Sequence, residues 1–567
     1  MKKAIFLLIY FAALSMATAN AQAQANIYAS GLKVQKMDEA NSVAVYAFTY
    51  TLNADATAVS INFNGSNGKQ ISDPDLLTKG THTAILSLSD LPDGDYLWSV
   101  TATATANTAT DPVKVSNDAE YLGFHALRGL AVDNGFESPF FGRVYATEGN
   151  ETAAATNIRT TTDGVYIYNA ALEDVTEQGN AAYSSGVVWG LSGTANSAAS
   201  PFRVTVAPDG LVFISDWSDT HAGVWTMDPA NPSADFKPVF GGTLNSSGVA
   251  IADGVEIHGS ISHCYVEGTG DDTKLYTFDE DLGLASGVSG NIYRYDIGNL
   301  ETTWDVAPSA LIYDDAANGN VQQNGNSVIS PDGRGGWWIY QYRANDNNPA
   351  IPSLIHFNGT SIDFISAVDA VDPESTTTSS IIGDSYQGGM ALNDGKSMMA
   401  LTCNGVVRVF DITFDENGKP IIALKYKVTT SFGTTSFSVA LDRADNIYVG
   451  GNASPFAVYA LPKADNTFTT PAPTAQKITI DLTSGITPVN NLGDNVLLIH
   501  EKGNIHLQAD GLTIVNYTVY DIGGVAVRSN MVGKSSVDVP TSGLAAGVYL
   551  IHLNTDKGTV VRRFINK

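Results

Sequence analysis

The 567-residue chain contains few cysteines, few basic residues and, after its first residues, no long apolar run. Its two cysteines exclude a scaffold held by several disulfides and a cysteine-ligated zinc module. It has 31 Lys and Arg against 58 Asp and Glu, and this net charge of −27 argues against a general nucleic-acid-binding protein. Beyond the N-terminus no run of about 18 apolar residues occurs, so no membrane-spanning helix is predicted there.

The rest of the composition is that of a folded protein built from strands. Hydrophobic residues make up 44% of the chain and charged residues only 16%, which allows real cores to form. The length predicts about three or four domains. Helix signals are scarce, and glycine, asparagine and aspartate punctuate short alternating runs. We therefore expect an all-β protein in three parts.

Residues 1–25 have the features of a removable export signal. Lys2 and Lys3 precede the apolar run 4–14, and small residues at 17–25 offer cleavage sites. The run is too short to span a bilayer, and no cysteine follows it that would carry a lipid anchor. A signal peptide is predicted, with a buried N-terminal helix as the alternative.

Residues 26–117 alternate in the manner of a small β-sandwich. One strand face carries Tyr46, Phe48, Tyr50 and Leu52, and a turn at 90–95 precedes another strand. The stretch 91–100 resembles the end of Ig-like modules of the fibronectin and flagellar-hook-cap types. That resemblance implies a spacer or a docking module.

Residues 119–465 contain an imperfect repeat, and the domain that it defines is taken as 119–482. Six segments share an apolar strand, a polar turn and a second strand, at 129–148, 202–216, 248–267, 327–342, 389–403 and 437–451. Spacings near and above the length of one blade predict a six-bladed β-propeller, with five or seven blades as alternatives. The form resembles NHL-repeat and gluconolactonase-like propellers. The stretch 467–475 is expected to be a linker, and 477–482 a last strand that closes the ring.

Residues 490–567 are predicted to form a small C-terminal β-sandwich. Four motifs occur in order and reach the last residue: LQADG, VYDIGGVAV, LAAGVYLI and the terminal VVRRFINK. Together they resemble the C-terminal sorting domain of proteins that Bacteroidetes export by the type IX secretion route. The resemblance implies that secretion machinery reads this domain and that the protein reaches the cell surface or the extracellular space, with the periplasm as transit or alternative.

Long loops are predicted on the propeller face opposite the short Pro-Asp-Gly turns, and there we expect any ligand to bind. The turn aspartates are expected to be turn formers only. The densest polar group in these loops combines two carboxylates, an imidazole and an indole, which suit glycan binding or acid–base chemistry. It comprises Asp216, Trp217, Asp219 and His221. The alternative is a solvated loop whose Trp packs on the neighbouring blade.

A second candidate group combines aromatic residues with an arginine. It comprises Trp338, Tyr342 and Arg343. Strand alternation places Trp338, Tyr340 and Tyr342 on one face, so some of these rings are expected to pack between blades.

Metal and nucleophile signatures are weak. The acidic run Asp271, Asp272, Asp279, Glu280 and Asp281 offers oxygen ligands for calcium but lacks the spacing of a calcium hand. His258 and His263 have no evident third partner. The gluconolactonase-like resemblance implies a cation in the central channel, for which Glu148 and Asn326 are position-based candidates. No G-x-S-x-G elbow occurs, and Cys264 and Cys403 are expected to be buried free thiols.

These observations favour a secreted or surface-displayed, non-catalytic binding protein that uses the long-loop face of a propeller. A glycan or an envelope protein is the expected ligand, and no nucleic acid or organic cofactor is expected. The alternative is a propeller enzyme, either a metal-dependent lactonase or a glycan hydrolase or lyase. A third hypothesis is an adhesin-like module built only for display.

Overall fold

The structure, a computed structural model, describes residues 24–37, 44–150, 155–187, 189, 200–216, 223–239, 243–244, 250–252, 255–256, 261–279, 290–299, 308–319, 321, 327–342, 344–346, 352–372, 380–385, 388–432, 436–480, 496–501 and 503–566. Strands dominate throughout. Helices in these ranges are single turns: Pro74–Leu77, Glu120–Leu122, Gly270–Asp272, Asp315–Asn318, Ser366–Asp369 and Thr474–Gln476. The prediction of an all-β protein is confirmed.

The N-terminal strands form two main sheets and a short pair. The first sheet contains Ala29–Lys36, Val45–Leu52 and Gly80–Ser87; the second contains Thr467–Pro471, Trp98–Thr103, Ala58–Phe63 and Ser66–Gln70; the pair is Gly94–Tyr96 with Ile478–Ile480. Phe48, Tyr50 and Leu52 are fully buried on one strand face, as the alternation predicts.

Two predictions about residues 467–482 are wrong. The expected linker contains the strand Thr467–Pro471, which pairs with Trp98–Thr103. Threonine is common in linkers but also favours strands, and here Thr469 and Thr467 form hydroxyl bonds to Thr101 and Thr103 across the pair. The expected closing strand forms a different pair, Ile478–Ile480 with Gly94–Tyr96. Alternation predicts a strand but does not specify its partner.

Six antiparallel sheets follow one another along the next 350 or so residues, and we number them in chain order. Sheet 1 contains Leu127–Val132, Val144–Glu148 and Gly164–Tyr168; sheet 2, Val204–Val206, Val212–Asp216, Gly223–Met227 and Lys237–Pro238; sheet 3, Ile261–Glu267, Lys274–Asp279, Asn291–Tyr295 and Ala310–Tyr313; sheet 4, Val328–Pro331, Trp337–Tyr340, Leu354–Phe357 and Ile362–Ile365; sheet 5, Met390–Leu392, Met398–Cys403, Val406–Phe414 and Pro420–Thr429; sheet 6, Ser438–Leu441, Asn446–Gly450, Ala457–Ala460 and Val113–Lys114.

Short strands accompany these sheets. They are the three-stranded sheet Thr243–Leu244, Ala250–Ala252 and Val255–Glu256, and the pairs Ala344–Asn345 with Asp384–Ser385 and Gly123–Phe124 with Ser454–Pro455. The prediction for the third repeat, 248–267, is therefore wrong. It paired a strand near 248 with a second strand ending at 267, whereas Ile261–Glu267 is the first strand of sheet 3.

Each sheet packs on the next through a shared hydrophobic cluster. Clusters join sheets 1 and 2, 2 and 3, 3 and 4, 4 and 5, and 5 and 6, and another joins sheet 6 to sheet 1. In the last cluster Leu127 of sheet 1 lies against Gly450 of sheet 6, where an added Cβ would lie 1.9 Å from the Leu127 Cδ2 atom. The first strands of the sheets contact one another in the same cyclic order.

Hydroxyl groups reinforce this order near the first strands. Thr147 of sheet 1 donates to the Phe202 carbonyl beside sheet 2 at 2.8 Å, and Thr205 of sheet 2 donates to the Cys264 carbonyl of sheet 3 at 2.8 Å. The Ser262 hydroxyl donates to the Ser327 carbonyl next to sheet 4 at 3.1 Å. Buried carbonyls between sheets thereby gain partners that the strands themselves do not supply.

The C-terminal strands form two further sheets around their own core. One contains Val496–Glu501, Asn504–Ala509 and Ser536–Pro540; the other contains Ala526–Lys534, Ile514–Asp521, Gly547–Thr555 and Gly558–Asn566. Leu507, Val519, Ile551 and Leu553 are buried in one cluster shared by the two sheets. Among the described residues no helix is long and apolar enough to cross a membrane.

Candidate functional site

The first two strands of each sheet define two rims. Short turns joining these strands lie at one rim, where the turn aspartates accept backbone N–H groups: Asp133 from Gly135 at 3.0 Å and Asp332 from Arg334 at 2.7 Å. Asp209 does the same with Leu211 at 3.2 Å. For Asp209 and Asp332, which belong to the two Pro-Asp-Gly turns, these bonds confirm the expected role of turn former. The opposite rim, where first strands begin and second strands end, we call the long-loop rim.

Of the four residues in the first predicted group, the structure describes Asp216, which lies at the long-loop rim. Asp216 ends the strand Val212–Asp216, is fully buried and accepts a hydrogen bond from the Ser200 hydroxyl. The other three, Trp217, Asp219 and His221, lie outside the described residues, as does Arg343 of the second group. Their roles stay predictions.

Trp338 and Tyr342 of the second predicted group lie in different surroundings in the structure. Trp338 is fully buried in the cluster between sheets 4 and 5, with its ring centroid 4.6 Å from that of His356 and 5.5 Å from that of Phe364. This is the inter-sheet packing expected for part of the aromatic set. We therefore leave Trp338 out of the site. Tyr342, two residues beyond the end of its strand, reaches a different environment.

Tyr342 belongs to a cluster of three aromatic rings at the long-loop rim. Its partners are Phe202, just before the first strand of sheet 2, and Phe437, just before that of sheet 6. The ring centroids of Tyr342 and Phe437 are 6.4 Å apart with planes 25° from parallel, and those of Phe202 and Phe437 are 6.2 Å apart. Sheets 2, 4 and 6 are not neighbours, so these rings meet where alternate sheets converge.

Two arginines cover these rings. The Arg128 Cζ lies 4.4 Å from the Phe437 ring centroid, and the Arg203 Cζ lies 4.9 Å from that of Phe202. Arg203 also donates to the carbonyls of Phe437 at 2.6 Å and Gly388 at 3.2 Å, which fixes its guanidinium. Each arginine gains a cation–π contact in a partly dry environment. We call Arg128, Arg203, Phe202, Tyr342 and Phe437 the arginine–aromatic cluster.

The cluster concentrates positive charge in an otherwise acidic chain. Burial lowers the pKa of Arg128 to about 10, although Glu148 and Tyr342 act in the other direction. Burial, and then the charge of Arg128, lowers the pKa of Arg203 to about 9. Both groups stay cationic at neutral pH, and each raises the positive potential felt by the other. His263 lies nearby, and burial followed by Arg203 lowers its pKa, so its ring is neutral.

Glu148, a position-based metal candidate, lies beside Arg128 in a structural role. Its two carboxylate oxygens accept the N–H groups of His125 and Ala126, each at 2.7 Å, and that of Asn150 at 3.1 Å. Burial raises its pKa to about 7, and these three N–H groups and Arg128 oppose the rise. Glu148 thus holds the backbone just before Arg128.

Because three buried carboxyl groups have raised pKa values, we expect the free energy of unfolding to fall as the pH rises from acid to neutral. Burial raises the pKa of Glu148 and of Asp442 to about 7 and that of Asp133 to about 6. A raised pKa in the folded state means that the native protein holds a proton which the unfolded chain releases above about pH 4. We expect the urea midpoint to fall as the pH rises from 4 to 7 and to level off above it. A midpoint that rises steadily over this range would contradict the assignment.

The structure offers little for metal or thiol chemistry. Within the described ranges no three His, Cys, Asp or Glu side chains come together to hold an ion. Asp271 and Asp272 lie in a turn before the strand Lys274–Asp279, whose far end carries Asp279. Glu280, Asp281, His258 and Asn326 are outside the described residues. Cys264 and Cys403 are buried free thiols, as predicted, and burial raises the pKa of Cys264 to about 12.

The residues that sequence reasoning missed are the two arginines and the two phenylalanines. Arg128 is the second residue of the first strand of sheet 1, and Arg203 directly precedes the first strand of sheet 2. In sheets 5 and 6 the residues directly before the first strand are Gly389 and Phe437. An arginine beside the start of a first strand is unusual in a chain of net charge −27, and this was the sequence feature that could have indicated the two arginines.

Comparison with known proteins identifies the C-terminal part. The family model described as a secretion system C-terminal sorting domain matches residues 470–567, and no curated protein matches the chain. This match confirms the predicted type IX sorting domain.

Solved structures resemble the chain only distantly. The extracellular domain of the hybrid two-component system BT4673 from Bacteroides thetaiotaomicron is 11% identical, over 91% of this chain and 67% of that one, with a TM-score of 0.32. PorZ, a surface component of the type IX secretion system of Porphyromonas gingivalis, is 14% identical over 93% and 74%, with a TM-score of 0.29. The WD40 β-propeller domain of Doa1 is 10% identical over 63% and 97%, with a TM-score of 0.26.

Scores this low assign no function to this chain. The sorting domain does assign its destination, because such a domain is handled by the secretion machinery. The protein therefore carries a secretion system C-terminal sorting domain and is exported to the cell surface or the extracellular space.

Proposed function

We propose that this exported protein is a non-catalytic binding protein that holds its ligand at the long-loop rim of a six-bladed β-propeller. Sheets 1 to 6 would be the blades. Supporting this count, six hydrophobic clusters join the sheets in cyclic order, including sheet 6 to sheet 1. The N-terminal sheets would form an Ig-like spacer, and the ligand would be a glycan or an envelope protein.

The observation that carries the proposal is the arginine–aromatic cluster. Rings from three sheets and arginines from two converge at one rim, and Arg128 is partly exposed there. Binding sites commonly combine apolar aromatic walls with a few charged groups that fix the ligand. Asp216 ends its strand at the same rim, so we keep Trp217, Asp219 and His221, which follow it in sequence, in the proposed surface, together with Arg343.

The enzyme alternative depends on one group. Glu148 has a pKa raised to about 7, a value suited to general acid–base catalysis. However, both of its carboxylate oxygens already accept backbone N–H groups, which leaves a structural role as the simpler explanation. Binding is therefore the function that the contacts support best.

A glycan array probed with the mature chain tests the binding function. We expect Arg128→Gln to weaken binding at least tenfold, because the variant loses the partly exposed charge of the cluster. The matched control is Arg334→Gln: Arg334 stacks on Phe414 at 4.3 Å but lies in a turn of the opposite rim. The proposal would be contradicted if Arg128→Gln bound as tightly as the unaltered chain. It would also be contradicted if only the Arg334→Gln control lost binding.

A further inference from the structure

We propose that a second binding site, at the rim of the short turns, takes an arginine side chain from an extended, basic segment of another protein. The site is a pocket of about 540 Å³ between sheets 3 and 4, and we call it the Glu267 pocket. Glu267, Leu311, Ile312 and Trp337 line it. It lies at the rim opposite the arginine–aromatic cluster, so it does not depend on the ligand proposed there.

The first observation is a carboxylate that is held in place and still open to a ligand. Glu267 is the only charged residue among the described residues that line the pocket. Its Oε1 accepts the Tyr276 hydroxyl at 2.6 Å, and no described residue donates a hydrogen bond to its Oε2. The Glu267 side chain is 40% exposed, so a cation can reach it from solvent. A guanidinium suits such a partner because its paired N–H donors match a carboxylate.

The second observation is apolar surface beside this carboxylate. Leu311 is 49% exposed although its side chain is large and hydrophobic, and Ile312 next to it is half-buried. The rings of Tyr276 and Trp337, whose centroids are 4.6 Å apart, line the same pocket. Arginine has an aliphatic stem that covers apolar surface while its charged end reaches a polar partner. The pocket therefore fits a long basic side chain better than a compact ion.

The third observation is a low edge of glycines, which lets a peptide main chain come close. Gly335, with φ +102°, and Gly359, with φ +92°, line the pocket in backbone conformations that favour glycine. Among the described residues, neither glycine uses its N–H or C=O in a hydrogen bond. An extended peptide can pair with these groups, whereas a small free cation leaves them unused.

The fourth observation is the sign of the charge. A net charge of −27 attracts a basic segment at long range and repels an acidic one. Two cations beside the pocket have ring contacts of their own. The Arg334 Cζ lies 4.3 Å from the Phe414 ring centroid, and the Lys396 Nζ lies 5.7 Å from that of Tyr265.

Lys274 is the cation that an incoming arginine has to displace. Its Nζ lies 3.9 Å from Glu267 Oε1, which is too far for a hydrogen bond, and its side chain is 42% exposed. Exposed pairs of this kind contribute little to stability. A guanidinium that forms direct hydrogen bonds to Glu267 therefore competes well with Lys274.

Peptide binding to the mature full chain tests this site. The probes are short peptides with blocked ends that differ only in their central residue, which is arginine, citrulline or norleucine. Citrulline keeps the shape of arginine without its charge. In isothermal titration we expect the arginine peptide to bind about tenfold more tightly than the citrulline peptide, because only arginine forms charge-assisted hydrogen bonds to Glu267.

Variants of the pocket separate the contributions of charge and apolar surface. Glu267→Gln should remove the preference for arginine over citrulline, and Leu311→Ser should weaken the binding of both peptides. Lys274→Gln should tighten the binding of the arginine peptide, because it removes the competing cation. The charge-matched controls, Glu177→Gln and Lys427→Gln, replace exposed residues that do not line the pocket and should change neither affinity. Matching thermal melts would show that all variants are folded.

Three outcomes would overturn the inference. The first is equal binding of the arginine and citrulline peptides. The second is a preference for arginine that persists in Glu267→Gln, because the cation would then bind elsewhere on the acidic surface. The third is binding of free arginine amide as tight as that of the arginine peptide, because the ligand would then be a small cation and not a protein segment.

Discussion

A chain that lacks residues 496–567 is expected to remain inside the cell envelope, whereas the complete chain reaches the surface or the medium. The removed part contains both sheets of the C-terminal sandwich and most of the matched sorting domain. Because the secretion machinery handles proteins through this domain, we expect the loss of export to be nearly complete. Immunoblots of periplasm, surface and medium from a host with a working type IX route would measure the distribution.

The control for this deletion is Met531→Ser. Met531 is 71% exposed in the same domain and lies outside the four sorting-domain motifs, so its replacement should leave the fold and export unchanged. If the truncated chain appeared at the surface as abundantly as the complete one, the sorting domain would not be the export signal of this protein.

The second large effect is expected from Asn446→Ala. Asn446 is fully buried in sheet 6; its Oδ1 accepts the Asn26 N–H at 2.8 Å, and its Nδ2 donates to the Asn26 carbonyl at 2.8 Å and to Asp442 Oδ2 at 2.7 Å. The substitution deprives a buried N–H of its partner and takes a donor from a buried carboxyl. Since each such loss costs about 1–3 kcal/mol, we expect unfolding to become easier by about 3 kcal/mol.

Urea denaturation followed by tryptophan fluorescence would measure this change. Asn417→Ala, at an exposed turn, serves as the control and should stay within about 0.5 kcal/mol of the unaltered chain. A change below about 1 kcal/mol for Asn446→Ala would mean that the segment around Asn26 contributes little to the folded state.

The sequence predicted local structure well because local structure depends on period and turn chemistry. The buried face of Phe48, Tyr50 and Leu52 and the turn role of Asp209 and Asp332 follow from neighbouring residues alone. Pairings between distant segments did not follow, since many strands share the same alternation. The strand Val113–Lys114 completes sheet 6 beside Ala457–Ala460, a partner more than 300 positions away.

That a ligand binds at the long-loop rim stays a prediction. Loop lengths placed Asp216 and Tyr342 at one rim, where the structure has them, but did not indicate Arg128 and Arg203, because each arginine stands alone in its own segment. Only the convergence of sheets 1, 2, 4 and 6 brings these arginines onto rings supplied by other segments. Such a site has no local spacing for a sequence pattern to reveal.

Hydrogen exchange of the mature chain, with and without its best-binding saccharide, is the most direct test of ligand binding at the long-loop rim. Amides protected by the ligand should lie within 125–130, 200–205 and 436–440, which surround the arginine–aromatic cluster. Protection confined to the turns at 133–142, 207–211 and 332–336 would place the ligand on the opposite rim and contradict the account.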